Sequence, residues 1–193
     1  MNLDELLSQI KNMEGEAKAA LLADANTALG DPLWVPNPGP QYDAYYCEAD
    51  ELFYGGQAGG GKTDLLIGLA LTQHRNSLLL RRFGRDVRSL VDRCAEVLGT
   101  RLGFNGQDQI LRFSDQRVLE FGGCQHEDDK QRYKGRPHDL ICFDEIADFS
   151  ETQYTFVLGW NRSAEPGQRC RSVATGNPPT RPEGLWVLKR FAP

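Results

Sequence analysis

Residues 55–63 read Gly-Gly-Gln-Ala-Gly-Gly-Gly-Lys-Thr, straight after the apolar run Glu51-Leu52-Phe53-Tyr54. From Gly56 to Thr63 this is a complete G-x-x-x-x-G-K-[ST] pattern. It restricts the chain to folds in which a strand runs into a glycine turn and then a helix. The composition follows from the task. Backbone N–H groups must curl around a phosphate, so side chains must stay clear and φ must be free. Gly59, Gly60 and Gly61 supply that freedom, and Gln57 and Ala58 complete the turn. The helix that opens at Lys62 aims its positive end at the anion. Lys62 sets an ammonium near the outer phosphates, and the Thr63 hydroxyl is a ligand for Mg²⁺. A dinucleotide-binding loop is also rich in glycine. The Lys-Thr ending and the lack of an acid at the end of the next strand, which closes in Arg81-Arg82, argue against that alternative.

The remaining pattern is that of an α/β domain. Thr63–Thr72 is apolar enough for a buried helix, and Ser77–Leu80 reads as a short buried strand. In Arg85–Leu98, Val87, Leu90, Val91, Cys94 and Leu98 keep one helical face. Ile110–Phe113 and Val118–Phe121, joined by Ser114-Asp115-Gln116, predict a β-hairpin. Leu140–Phe143 and Arg171–Thr175 are further strands, with a helix between them from Glu151 to Trp160. Short apolar strands alternating with helices predict a mainly parallel sheet covered on both faces. Residues 1–30 form an arm outside this pattern, in which Leu3, Leu6, Leu7 and Ile10 fall on one helical stripe. Asp31–Pro40 carries four prolines and predicts an extended connection, with Trp34 pinning it to the core. The ATPase-type domain is expected over 31–193.

Leu140-Ile141-Cys142-Phe143 is followed by Asp144-Glu145. A buried parallel strand delivers its carboxyl end to the crevice where ligands sit. Asp144 is then placed to hold Mg²⁺, and Glu145 to polarise a water for in-line attack on a γ-phosphate. Adjacent strand residues point to opposite faces, so both acids reach one site only where the backbone bends at the strand end. A second acid suits transfer to water. A small-molecule kinase has to exclude water instead. Arg171–Thr175 ends in Gly176-Asn177-Pro178-Pro179, so Thr175 and Asn177 are placed to contact the attacking water, the γ-phosphate or Glu145. The pair is expected to sense nucleotide state.

Composition narrows the alternatives. The 193 residues carry a net charge of −5, which argues against a surface coated in basic charge for nucleic acid. No run of ~18 apolar residues predicts a membrane span. Five cysteines without a Cys-x-x-Cys pair read as reduced thiols, and the three histidines lie outside zinc-ligand spacing. Glu127-Asp128-Asp129 reads as an exposed charged loop rather than a metal site.

Taken together, residues 55–63, Asp139–Glu145 and Thr175–Pro179 resemble the ATPase domain of the tailed-bacteriophage terminase large subunit, the motor that packages DNA into a prohead. The resemblance runs from about Trp34 to Pro179. It implies a P-loop NTPase of the additional-strand, catalytic-Glu type, using ATP and Mg²⁺. Gln41-Tyr42 is similar to that family's adenine-side segment, and Arg81-Arg82 fits its pattern too. The implied partners are double-stranded DNA, gripped weakly through phosphates, a portal protein, a small terminase subunit and further copies in a ring. The implied location is the cytoplasm of an infected bacterium. The family's nuclease domain is not expected in this chain. A ring motor needs an arginine at the γ-phosphate, in the same subunit or from a neighbour. The candidates are Arg132, Arg136, Arg162, Arg169 and Arg171, with Arg136 first because Lys134–Pro137 reads as a turn near the site. The rival readings are a helicase- or recombinase-type ATPase, an ATP-gated interaction module with little hydrolysis of its own, and a small-molecule phosphotransferase.

Overall fold

The computed structural model describes residues 33–57 and 59–192. The helical expectation for residues 3–29, and Ala58 in the phosphate loop, lie outside the described residues. Among the described residues, seven strands form one sheet in the order β1-β7-β6-β2-β5-β4-β3. They are β1 (Glu51–Gly55), β2 (Asn76–Arg81), β3 (Phe104–Asn105), β4 (Ile110–Arg112), β5 (Val118–Gly123), β6 (Leu140–Phe143) and β7 (Arg171–Gly176). The first five in that order, β1 to β5, pair in parallel, and β5-β4-β3 continue antiparallel. The expected hairpin is therefore present, and its second strand also extends the parallel sheet. β7 lies between the phosphate-loop strand β1 and the acidic strand β6, which is the additional-strand arrangement.

Among the described residues five α-helices flank the sheet: α1 (Pro40–Tyr46), α2 (Lys62–Thr72), α3 (Gly84–Leu98), α4 (Glu151–Leu158) and α5 (Trp186–Phe191). Successive strand residues feed opposite layers of the core. Leu140 and Cys142 of β6 join Leu79, Val173 and the apolar side chains of α2 and α3. Ile141 and Phe143 face the other way, onto Leu78, Leu80, Tyr154 and Trp186. This two-sided burial explains why β2 and β6 read as continuous apolar runs rather than alternating ones. Helix α3 needs only one apolar face, and Val87, Leu90, Val91 and Cys94 are its buried residues.

Two helices lie where the sequence analysis placed none. Helix α1 begins at Pro40, inside the proline-rich segment. A proline at the first helical position gives up an N–H that has no intrahelical partner, so the ring that forbids a helix interior tolerates a start. Helix α5 is one and a half turns whose Trp186 is anchored by its indole N–H to the carbonyl of Phe149 at 2.9 Å. Residues 127–133 form a 3-10 helix rather than an open loop. There the carboxylate of Asp129 accepts from the N–H of His126 at 2.8 Å.

Trp34 does pin its segment. Its indole lies over Gly68 of α2, and a Cβ there would run into the ring. Gly68→Ala should therefore destabilise the domain by about 1–3 kcal/mol, although alanine is normally the better helix former. A lowered urea midpoint is expected. An unchanged or raised midpoint would show that the indole is not seated there.

Candidate active site

Strand register assembles the site. Gly55 pairs with Gly176 and Tyr54 with Thr175. Phe143 pairs with Ala174 on one side and Leu80 on the other. One residue further on, the phosphate loop, Asp144-Glu145, Thr175–Asn177 and Arg81 all leave the sheet at the same end. These segments are far apart in sequence, and the parallel pairing alone brings them together.

The loop is braced from below and above. Gly61 caps α2 in the left-handed region (φ 68°), and a Cβ there would strike the amide of Gln41. Gln41 is 3% exposed, donates to the carbonyl of Gly61 at 2.8 Å and accepts from the N–H of Asn37 at 2.6 Å. Its amide thus braces the loop from α1. Tyr54 adds a hydrogen bond from its hydroxyl to the carbonyl of Gly60 at 3.0 Å. Lys62 curls back over the loop. Its Nζ donates to the carbonyls of Gly56 (3.0 Å) and Gln57 (2.8 Å) and to Oδ1 of Asn177 (3.2 Å). Those three oxygens occupy the ammonium where phosphate oxygens are expected to replace them.

Asp144 is the hub. It is 1% exposed, and a buried carboxylate is tolerable only with several donors. Thr63 Oγ1 donates to its Oδ2 at 3.1 Å, and Thr175 Oγ1 donates to its Oδ1 at 2.7 Å. Arg81 donates to Oδ2 through Nε (2.9 Å) and Nη2 (2.7 Å). Thr175 therefore contacts Asp144 rather than Glu145, and Asn177 contacts Lys62. The two residues join the acidic strand and the loop lysine to one strand end. The Thr63 hydroxyl and the Asp144 carboxylate are two hard oxygen donors one hydrogen bond apart at the foot of the loop. That set fits Mg²⁺, which takes one or two protein oxygens and completes its shell with phosphate and water.

Glu145 shows how two successive acids serve one crevice. Its φ is +58°, in the left-handed region, and this turns the chain at the strand end. For a residue with a Cβ that conformation costs roughly 1–2 kcal/mol, and such strain collects at functional sites. Glu145 faces a cavity of about 410 Å³ together with Gly59–Thr63 and Asn177. Burial raises its carboxyl pKa above the ordinary value, the neighbouring charge of Asp144 adds to the rise, and Lys62 and Arg81 oppose it. A carboxylate held this way is a stronger base than a solvated one.

The arginine candidates do not lie there. Lys134–Pro137 precedes β6, so it sits at the opposite end of the parallel strands from Asp144. Arg136 pairs with Glu120 at 2.7 Å, and the same carboxylate oxygen lies 3.2 Å from Nε2 of His138. Arg136 and Arg162 line a separate cavity of about 610 Å³. The expectation of a turn near the chain's own site is thus corrected. A strand's start and end are a strand's length apart, and the turn belongs to the start of β6 while the site lies at its end. Arg132 pairs with Asp129, Arg169 donates to the carbonyls of Cys47 and Ala49, and Arg171 is a core residue donating to the carbonyls of Ala44 and Tyr45. Glu127 accepts from Ser150 and Thr152 and pairs with Lys130, which holds its pKa down to about 2.

Two arginines that sequence reasoning did not assign to the site are at it. Arg81 is described above. Arg93 of α3 lines the phosphate-loop cavity and clasps Asp64, the residue after Thr63, with Nε at 2.7 Å and Nη2 at 2.9 Å. Nothing local in the sequence marks Arg93, because it is one of several arginines on the polar face of α3. For Arg81 a signal existed: a charged residue closing an otherwise apolar strand next to the acidic one.

The fold is shared with two solved large terminases. That of a thermophilic bacteriophage gives a TM-score of 0.55 at 15% identity, covering 75% of this chain and 40% of that one. That of bacteriophage HK97 gives 0.57 at 10% identity, covering 81% and 36%. The chain spans about two-fifths of the length of the structures it matches. At these identities the likeness is one of fold. No family model matches the sequence, and neither does any curated protein.

Proposed function

We propose that this chain is the Mg²⁺-dependent ATPase domain of a viral DNA-packaging motor of the large-terminase kind. The observation that carries the reading is the hydrogen bond from Thr63 to Asp144, with Glu145 turned into the same cavity as Lys62. It sets the loop lysine, two hard oxygen donors and a carboxyl of raised pKa around one crevice, which supports the reading. The loop amides and Lys62 bind the phosphates, with Lys62 leaving its three loop and Asn177 oxygens to do so. Thr63 and Asp144 would hold Mg²⁺, which would neutralise charge on the outer phosphates. Glu145 takes the proton of the attacking water. Asn177 is freed when Lys62 moves, and Thr175 reads the same event through Asp144, so β7 reports nucleotide state. Support for a packaging motor over other P-loop ATPases comes from the likeness in fold to the two terminases together with the three sequence segments. Duplex DNA, held through phosphates and hence sensitive to salt, a portal protein and a small terminase subunit belong to this proposal, as does action in the host cytoplasm. Among the described residues no helix is long and apolar enough to cross a membrane.

Arg136 enters the proposal in a changed role. It cannot serve its own crevice from the far end of β6, so it serves a neighbour's in a head-to-tail ring. Its side chain is 45% exposed, as a residue offered to another subunit must be. Hydrolysis then depends on assembly, and turnover per chain should rise steeply with protein concentration. Arg136→Ala mixed with wild type should depress the activity of the mixture below the average of the two, by a factor of ten or more for the pure variant. Activity that follows simple dilution would assign Arg136 to its Glu120 pair alone. Strand separation in place of duplex translocation would favour the helicase reading.

A further inference from the structure

Asp144 is buried at the end of β6. Four hydrogen bonds converge on this buried carboxylate, and two of them come from one guanidinium. Arg81 Nε, Arg81 Nη2 and Thr63 Oγ1 all approach Oδ2 within 3.1 Å. Thr63 is the other protein ligand of the metal in the proposed function, on which this argument rests. The guanidinium therefore stands on the same carboxylate oxygen that Thr63 contacts, the one that would serve a metal held by the two residues. Two cations cannot share that oxygen cheaply in a setting so poor in water. The guanidinium is also tethered from behind: its Nη1 donates to Ser89 Oγ on α3 at 2.8 Å, and Ser89 Oγ in turn donates to the carbonyl of Asp86 at 2.7 Å.

We infer that Arg81 is a resident cation that holds Asp144 in the metal-free state and must give up that oxygen before Asp144 can serve Mg²⁺. It is a positioning residue in competition with the metal, not a support for it. In the metal-free state it stops the buried carboxylate from being left uncompensated and keeps its rotamer set toward Thr63. When it swings away, it remains attached to α3 through Ser89. Helix α3 also carries Arg93, which clasps Asp64 beside Thr63. Release of Asp144 by Arg81 would thereby cost α3 one of these two ties to the phosphate site.

The sign of a single measurement decides between competitor and support. A residue that merely orients a metal ligand weakens metal binding when it is removed, typically ten- to a hundred-fold. A competitor does the reverse. Mn²⁺ binding in the presence of saturating ADP, followed by the electron paramagnetic resonance of free Mn²⁺, should tighten by roughly ten-fold in Arg81→Gln. The urea midpoint of the metal-free variant should fall. Unchanged or weaker Mn²⁺ binding overturns the inference. A second measurement needs no variant: the ¹⁵N resonance of Arg81 Nε in wild-type protein. It should be shifted and protected from exchange in the metal-free chain, and should lose both features on addition of Mg²⁺ and ADP. If it keeps them with metal bound, Arg81 has not moved and the inference fails, even if Arg81→Gln does not fold. Failure of wild type to bind ADP at all would instead remove the proposed function, and the inference with it.

Discussion

Glu145→Gln will bind nucleotide as wild type does and turn it over at least ~10²-fold more slowly, the usual worth of a positioned general base. The amide keeps the shape of the side chain and its left-handed backbone, so Lys62, Thr63 and Asp144 stay in place to hold the phosphates. Only proton transfer from water is lost. Nucleotide affinity by fluorescence and single-turnover hydrolysis separate the two, and hydrolysis within a few-fold of wild type would remove Glu145 from the chemistry. The pH profile gives a second check. Burial, helped by Asp144, raises the Glu145 pKa against the pull of Lys62 and Arg81. The base is competent only when ionised, so activity should fall with decreasing pH along a limb above the ordinary carboxylate range near ~4.3. The stability sign runs the other way. Between the unfolded and the raised folded pKa the native state binds more protons, so Glu145 lowers stability as pH rises through that window. Glu145→Gln should therefore be no less stable than wild type at neutral pH.

Asp144→Ala should lose both metal-dependent nucleotide binding and fold stability. The substitution leaves Arg81, Thr63 and Thr175 with donors aimed at a vacated position, and Thr175 is fully buried. Breaking a buried charge pair by removing one partner costs about 3–5 kcal/mol. The Arg81 side chain is 23% exposed, so water relieves part of that, and a loss of about 2–4 kcal/mol is expected in urea denaturation. Asp144→Asn keeps an acceptor for Thr175 and should cost less stability while losing metal binding just as fully. If Asp144→Ala unfolds at the wild-type urea concentration, the four-donor network does not hold this end of the sheet together.

Sequence and structure agree at some residues and part at others for physical reasons. Glu51–Gly55, the helix from Lys62 and Leu140–Phe143 were legible because each is a local matter: Leu140–Phe143 is an unbroken apolar run as a buried strand needs, and the glycines after Tyr54 mark where a strand must give way to a phosphate loop. The bend at Glu145 was legible as a requirement, since two adjacent acids can share one crevice only if the strand stops there. Arg136 was misplaced because nothing in a linear reading says which end of the sheet a connecting turn occupies. Arg171 was a candidate for the γ-phosphate, and burial between β7 and the carbonyls of α1 makes it a core residue instead.

The sequence by itself determined the chemistry available here: a glycine loop for phosphate, a lysine and a threonine at its close, and two acids at the end of an apolar strand. Those depend on side-chain type and on spacing along one segment, which are local quantities. Only the tertiary structure decided which segments meet. Parallel pairing of β1, β7, β6 and β2 sets the strand ends side by side, so that Thr175 and Arg81 reach Asp144 and the favoured arginine does not. Contacts between residues this far apart in the chain come from sheet register, and register is fixed by the packing of the whole core on both faces of the sheet.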